Sequence, residues 1–448
     1  MNYIAYTVGP IYDTLYSAKK QTRELWAGSY FFSLFMRKLL GHIKDEFEIL
    51  LPYVDEQCLN STGYMGIFHD RFVARSQKSK DEIRKILDNK VGLVFAELAA
   101  IIKDESIQYE LAGNMNNHSL IASEEDLKSV NENVIFAINT ILDGMEQKRT
   151  FCFESEHNHI ADFQTNIHSL KQKLGLSDKL VFTSTQEIAG EQKYYAVVTA
   201  DGDKMRNYVT KLTGNGDFSN IKTLSKNLYD FFTTDKSLYT LTNIDFGGML
   251  IYAGGDDVLA FVPIKLGSHT FLDYITALDE KFKTVVANDT SLSFGVNIIY
   301  HKYPMRKAIA QAFDLLHTSK EHGQNSLTLQ VTKHSGQTFS TTIKMGEDKF
   351  AQFSSIVDGV FRETIALPHS LHHSLKRYES AIVATYQNGS SSDEMFKNVF
   401  NDAKGEKESA GLKRMQHYLD ICKPSTQQAF DAFFSELSII KFLRGDRA

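Results

Sequence analysis

The hydrophobic and polar positions along the chain switch between two periods, and each switch marks an element. Residues 2–9 (NYIAYTVG) form a short, mostly apolar run broken by Pro10, which predicts a strand. A helical stretch follows, then a second helix from about Trp26 to His42, where Phe31, Leu34, Phe35 and Leu39 recur at the spacing of one buried face. Two apolar runs at 47–54 and 64–74 predict strands, and Ile83, Ile86, Leu87, Val94 and Leu98 predict an amphipathic helix over 79–104. The order βααββα suits a ferredoxin-like layer of helices on a sheet. From 105 to 187 the chain is more polar, with Ser123-Glu-Glu-Asp, Asn131-Glu-Asn and Lys171-Gln-Lys among isolated leucines and isoleucines, and predicts a helical insertion.

The pattern sharpens from 192. Tyr194–Ala200 is short and apolar enough for a fully buried strand, and a helix opening near Ser219 carries Ile221, Leu224, Leu228, Phe231 and Phe232 on one face. Residues 248–253 and 258–263 are two apolar runs separated only by Gly254-Gly255-Asp256-Asp257, which predicts a hairpin. A helix at about 270–287 precedes an alternating strand through Leu292, Phe294, Val296, Ile298 and Tyr300. Pro304 and Gly323 punctuate the start and end of another helix, and Leu327, Leu329 and Val331 alternate as a closing strand. This is a second ferredoxin-like unit, and the chain reads helical from about 345. The predicted class is α+β, divided as 1–104, 105–187, 188–335 and 336–448.

Composition narrows the function classes. The 448 residues contain no run of about 18 apolar positions and no secretory leader pattern, and the three cysteines, Cys58, Cys152 and Cys422, are too scattered for a disulfide framework or a four-cysteine zinc site. A reducing, cytoplasmic protein is expected. The net charge of −6 is unlike a free-standing nucleic-acid coat, so RNA contact is expected to come through a local patch or a partner subunit.

The candidate chemistry is acidic. Asp201-Gly202-Asp203-Lys204 follows directly on a buried strand, and Asp256-Asp257 sits on a hairpin turn about fifty residues later. Carboxylates at one strand end and on a neighbouring hairpin supply hard oxygen ligands for two Mg²⁺ or Mn²⁺ ions, which suit a nucleoside triphosphate. A Gly-Gly-Asp-Asp turn alone is ordinary hairpin chemistry. It gains weight from the second acidic cluster, because clustered carboxylates repel unless a cation compensates them. Gly254 and Gly255 allow positive φ and close backbone approach, and Gly202 leaves room between two acids. Lys320 and Lys204 each read either as a surface cation or as a phosphate contact.

These segments resemble the large polymerase/cyclase subunit of type III CRISPR effector complexes, most closely its Cmr (type III-B) branch. The second, catalytic palm domain of that family is matched by Tyr194-Tyr-Ala-Val-Val-Thr-Ala-Asp-Gly-Asp-Lys-Met, by the strand–Gly-Gly-Asp-Asp–strand, and by Lys320, Gly323 and Asn325. Its first, degenerate palm is matched by Val8-Gly-Pro-Ile, Thr22-Arg-Glu-Leu-Trp-Ala-Gly-Ser-Tyr and Phe68-His-Asp-Arg-Phe-Val-Ala-Arg. The resemblance implies an RNA-activated adenylyltransferase within a crRNA-guided complex, binding ATP and making a cyclic oligoadenylate. It implies that Asp201, Asp256 and Asp257 hold the metals with the carbonyl of Gly202, that Lys320 contacts phosphate, and that Ser29 touches a second nucleotide. Partners implied are the other Cmr subunits, crRNA and target RNA, with no membrane.

The sequence departs from that family in three places. An N-terminal HD nuclease is not expected: the only His-Asp dipeptide, His69-Asp70, reads as structural or surface on a predicted strand. The zinc-binding cysteines of the insertion are missing, and Glu156-His157-Asn-His159 and His369-Ser-Leu-His372-His373 read as solvent-facing, so no zinc is expected. Arg206 stands where relatives often carry glycine, which leaves the product open. Two alternatives remain: the same site joining AMP to S-adenosylmethionine, and a nucleotide-binding scaffold without turnover. A diguanylate-cyclase relative is disfavoured by the missing Glu-Phe after the turn and by the preceding palm.

Overall fold

A computed structural model describes the chain except at residues 10, 12–13, 15–20, 61–64, 148–156, 179, 214–217, 234–236, 288, 390–395, 397–404 and 446–448. The elements used below are β1 (Asn2–Gly9), α1 (Thr22–Ile43), β2 (Glu48–Leu51), β3 (Arg71–Ser76), α2 (Lys80–Ile102), α3 (Gln108–Gly113), β4 (Asn116–Ser123), α4 (Val134–Gln147) and α5 (His159–Leu170). They continue as β5 (Tyr194–Gly202), α6 (Met205–Thr213), α7 (Ser219–Thr233), β6 (Met249–Gly254), β7 (Asp257–Pro263), α8 (Phe271–Val285), β8 (Leu292–Tyr300), α9 (Met305–Glu321), β9 (Ser326–Thr332) and β10 (Thr338–Lys344). The last are α10 (Asp348–Phe361), α11 (Glu406–Cys422) and α12 (Gln427–Leu443). Among the described residues no helix is long and apolar enough to cross a membrane.

The chain divides into two compact units. The first comprises Met1–Glu187, Lys204–Ala260 and Lys281–Thr290, and the second Ile188–Asp203, Phe261–Glu280 and Ser291–Ala448.

In the first unit a four-stranded sheet has the order β2-β3-β1-β4, antiparallel throughout, which is the ferredoxin-like arrangement. Tyr6 of β1 stacks on Phe35 of α1 and on Phe72 of β3, each with ring centroids 6.1 Å apart. Helix α1 is apolar on almost every face because it is enclosed on several sides: Trp26, Phe31, Phe35 and Leu39 are buried, and the helix packs on α2, α5 and β6. Ser79 caps α2, accepting from the Glu82 N–H at 3.3 Å, and Ile83, Leu87, Val94 and Leu98 turn inward.

Two strands correct the sequence reading. Residues 116–123 form β4, which closes the first sheet against β1, inside the stretch expected to be a helical insertion. Its sequence, NNHSLIAS, lacks apolar alternation and buries only Ala122 fully, so the pairing with β1 defines it rather than its own pattern. The expected strand at 64–74 starts only at Arg71, and residues 65–70 are irregular.

In the second unit β5 runs antiparallel to β8, β8 parallel to β9, and β9 antiparallel to β10. The last three residues of β7 belong to this unit, where Phe261 meets Tyr195 of β5 at 5.4 Å between ring centroids. Helix α9 presses on the sheet at Gly295, where a Cβ would stand 2.2 Å from the Ala312 carbonyl oxygen. Thr199 of β5 donates to the same carbonyl at 3.0 Å. Strand β10 lies beyond residue 335, in the region expected to be a helical domain. Its sequence, TFSTTIK, is threonine-rich and half exposed, which hides it from a search for apolar runs. Helices α10, α11 and α12 then follow as expected, with α12 packed on β10.

Candidate active site

In the first unit the β6–β7 turn places Gly254, Gly255, Asp256 and Asp257 in succession. Gly255 has φ +66°, and a Cβ there would lie 2.1 Å from Cε1 of His69. At Gly254 a Cβ would meet the Tyr252 hydroxyl at 2.7 Å. The turn is therefore built for glycine twice over: once by backbone conformation and once by close approach. The His69 imidazole lies close against the backbone that carries the two aspartates.

Acidic groups crowd here. Burial pushes the Asp257 carboxyl up to about 8, and the Asp256 and Asp70 carboxylates add to it. Burial likewise pushes Asp70 to about 6, opposed by Arg71 and reinforced by Glu146 and Asp143. Arg71 does not neutralise the turn, because its guanidinium binds Asp143 at 2.7 Å and Glu146 at 2.8 Å. Burial lowers the His69 imidazole, while Asp256 pulls the other way. A cavity of about 280 Å³ opens beside this group, lined among others by Tyr53, His69, Asp70, Phe232, Gly255 and Asp256. Such a surplus of carboxylate oxygen fits a hard divalent cation.

His69 and Asp70 thus differ from expectation: they precede β3 instead of lying on it, and they face the acidic turn. Nothing in the linear sequence connects them to residues almost two hundred positions away. Ser29 is buried on α1, at 3% exposure. Lys204 is exposed with φ +58° and opens α6, and Arg206 lies over the Phe136 ring at 5.1 Å, a cation–π contact.

In the second unit Asp201 ends β5 opposite Ser293 and forms an ion pair with Lys320 near the end of α9. Burial pushes the Lys320 ammonium down to about 8. Lys320 is thus tied to a carboxylate in this structure. Gly202 is buried beside it at the strand end.

Asp203, expected beside the nucleotide, is engaged within the fold. It is buried, and its oxygens accept from the hydroxyls of Ser291 and Ser293 and from the Asn325 N–H, all at 2.7 Å. The segment it holds is unusual: Gly323, Gln324 and Asn325 all have positive φ, at +91°, +66° and +46°. Lys344 donates to the carbonyls of Gly323 and Gln324 at 2.7 and 2.6 Å. Asp203 is a strut for the turn after α9, which explains why Asn325 belongs to the same motif as Lys320.

The histidines expected to face solvent divide. His157 is exposed, as expected, but His159 is buried at 4% exposure. His369 lies within 3.0 Å of the Arg444 guanidinium, and His372 packs on Phe434. Cys152 and Glu156 fall outside the described residues.

Comparison with known proteins decides the family. The model for "Cas10/Cmr2, second palm domain" matches residues 194–328, and that for "CRISPR-associated protein Cmr2, N-terminal" matches residues 3–140. The chain belongs to the Cas10/Cmr2 family. The second-palm match encloses Asp201, the Gly-Gly-Asp-Asp turn and Lys320, and the N-terminal match encloses Ser29, His69 and Asp70. The Cmr subunit Cmr2 of Pyrococcus furiosus is 27% identical over 187 residues, which is 35% of this chain and 21% of that protein. The match therefore spans about a fifth of the curated relative.

Among solved structures, a chain of a type III-B Cmr-beta complex in its apo state aligns with TM-score 0.56 and 10% identity, covering 86% of this chain and 75% of the other. A Csm1–Csm4 cassette in complex with cA4 aligns with TM-score 0.55 and 12% identity, covering 96% and 70%. These likenesses establish the Cas10 fold.

Proposed function

We propose that this chain is the RNA-activated nucleotidyltransferase of a crRNA-guided type III-B complex, joining ATP into a cyclic oligoadenylate. The observation that carries the reading is the Gly-Gly-Asp-Asp turn, whose carboxylates crowd with Asp70 beside an open cavity. Its donor set suits Mg²⁺ or Mn²⁺, with Asp256 and Asp257 as ligands in the first unit, while in the second unit Asp201 and the Gly202 carbonyl offer the same kind of oxygen. When bound, such ions supply charge compensation for a triphosphate and acidify an attacking 3′-hydroxyl. The chain's own contribution is placement. Gly255 gives the turn its positive φ and makes room for the His69 ring against it, and Lys320 offers a cation whose partner is Asp201.

Family relatives support the substrate class: Csm1–Csm4 cassettes have been solved with ATP, with AMPPNP, with pppApA and with cA4. A Cmr-beta complex has been solved with cognate target RNA, in line with other Cmr subunits, crRNA and target RNA as partners in the cytoplasm.

The test is mass spectrometry of products from the reconstituted, target-bound complex given ATP with Mg²⁺ or Mn²⁺. Pyrophosphate and cyclic oligoadenylate are expected, and both should vanish in Asp256→Ala/Asp257→Ala. Metal-dependent turnover surviving that double change overturns the site. An AMP adduct formed only when S-adenosylmethionine is added keeps the site and overturns the product. Nucleotide binding without turnover would mark the chain as a scaffold.

A further inference from the structure

We infer that the chain carries a second, separate metal site, in which His157, His159 and Asp162 hold a zinc ion and Glu110 orients His159 from behind. The three residues each bring one ligand atom to within 4.8 Å of the others. All lie in the first unit, on or just before α5, and Glu110 lies on α3.

His159 Nε2 lies 2.7 Å from Oε2 of Glu110, so the carboxylate holds the ring with its proton on Nε2. That leaves a lone pair on Nδ1. Nδ1 is buried and has no hydrogen-bond partner. The group it faces is Oδ2 of Asp162, 3.4 Å away, which also presents lone pairs. A buried acceptor facing a carboxylate oxygen is unfavourable unless something positive lies between them. Their separation matches the edge of a zinc tetrahedron, about 3.3 Å for donors roughly 2.0–2.1 Å from the ion.

The surroundings complete the set. His157 Nε2 reaches the same Asp162 oxygen at 2.6 Å, and the two imidazole rings are 4.9 Å apart at 65°. The peptide that carries them is fixed independently of any ion. Asn114 donates from Nδ2 to the His157 carbonyl at 3.1 Å and accepts from the His159 N–H at 2.8 Å. Asn158 caps α5 by accepting from the N–H groups of Ile160 and Ala161, both at 3.1 Å. Two imidazoles and one carboxylate, with His157 on the solvent side, leave the fourth position for water. The carboxylate behind the buried histidine is the arrangement that raises imidazole basicity at zinc centres. An ion here would tie α5 to α3, as a structural clip independent of the acidic turn.

The test uses the full-length chain carrying Asp256→Ala/Asp257→Ala, so that the palm does not contribute metal. After stripping with EDTA and titration with ZnCl₂, one equivalent of zinc should stay with the protein through gel filtration, and the melting temperature should rise. Co²⁺ should give the visible absorption of a tetrahedral centre. His157→Ala, at an exposed position, should remove the retained zinc and the melting shift while leaving the EDTA-treated melting temperature unchanged. Glu110→Gln should weaken zinc about 10–100-fold. Equal zinc in the parent and His157→Ala proteins overturns the proposal. So does a His159 ring that NMR shows to be doubly protonated and indifferent to zinc, which would make it an imidazolium held between Glu110 and Asp162.

Discussion

At Gly255 one residue carries two constraints that can be separated by experiment. Its φ of +66° is a conformation that a side chain disfavours by roughly 1–2 kcal/mol. The His69 ring adds a second cost, because a Cβ would have to occupy space 2.1 Å from its carbon. Gly255→Ala is therefore expected to lose more stability in urea than the backbone conformation alone accounts for. Gly255→Ala/His69→Ala should recover the excess, leaving about 1–2 kcal/mol beyond the cost of His69→Ala alone. Strict additivity of the two substitutions would show that the imidazole does not press on the turn. At this scale the sequence was partly legible. Asp256, Asp257 and their glycines stood out because turn chemistry is local, whereas His69 and the inward role of Asp203 depend on partners 186 and about 90–120 positions away.

Elements were legible where their ends carry chemistry. Ser79 before α2 and Pro304 before α9 are cap residues readable without a partner, and both helices begin where expected. Strands β4 and β10 were not legible, because each is polar on its open side and owes its existence to a neighbour: β1 for one, β9 for the other. The same logic holds for the C-terminal helices, where Glu436 of α12 is fully buried yet charged in character. It accepts from Thr341 of β10 at 2.7 Å and Tyr418 of α11 at 2.8 Å, and pairs with Lys349 of α10 at 2.7 Å. One carboxylate thus joins four elements. Lys349→Met should cost about 3–5 kcal/mol in guanidinium unfolding, because it strands that charge. Glu436→Gln in the same chain should return most of the loss, since the amide still serves the two hydroxyls. A loss below about 1 kcal/mol in the single variant would show that the Lys349 pair does not hold these elements together.

For the whole molecule, linear blocks were a poor guide to compactness. The first compact unit takes in residues 204–260 together with the N-terminal 187, and the second joins β5 and β8 to β10 with the helices that follow, so neither is a continuous stretch. Periodicity reports which face of an element is buried but not which distant element covers it. Buried titratable groups turn that packing into a pH dependence, and His372 gives it a definite direction. Its Nδ1 is buried without a hydrogen-bond partner, and Nε2 lies 3.2 Å from the Ser438 hydroxyl. Burial pushes the imidazole down to about 4, and the cations of Lys441, His373, Lys333 and Lys376 act in the same sense. An unfolded chain takes up this proton near pH 6.5, whereas the folded one refuses it until about 4. Between those values the unfolded state binds more protons, so His372 contributes stability above pH 6.5 that drains away as the pH falls toward 4. The slope can reach about 1 kcal/mol per pH unit, reduced by whatever water reaches the ring. Unfolding of the parent and of His372→Asn, compared at pH 7 and pH 5, should show the parent losing more stability on acidification. Parallel losses would place the imidazole in an environment that accepts a proton as readily as water does.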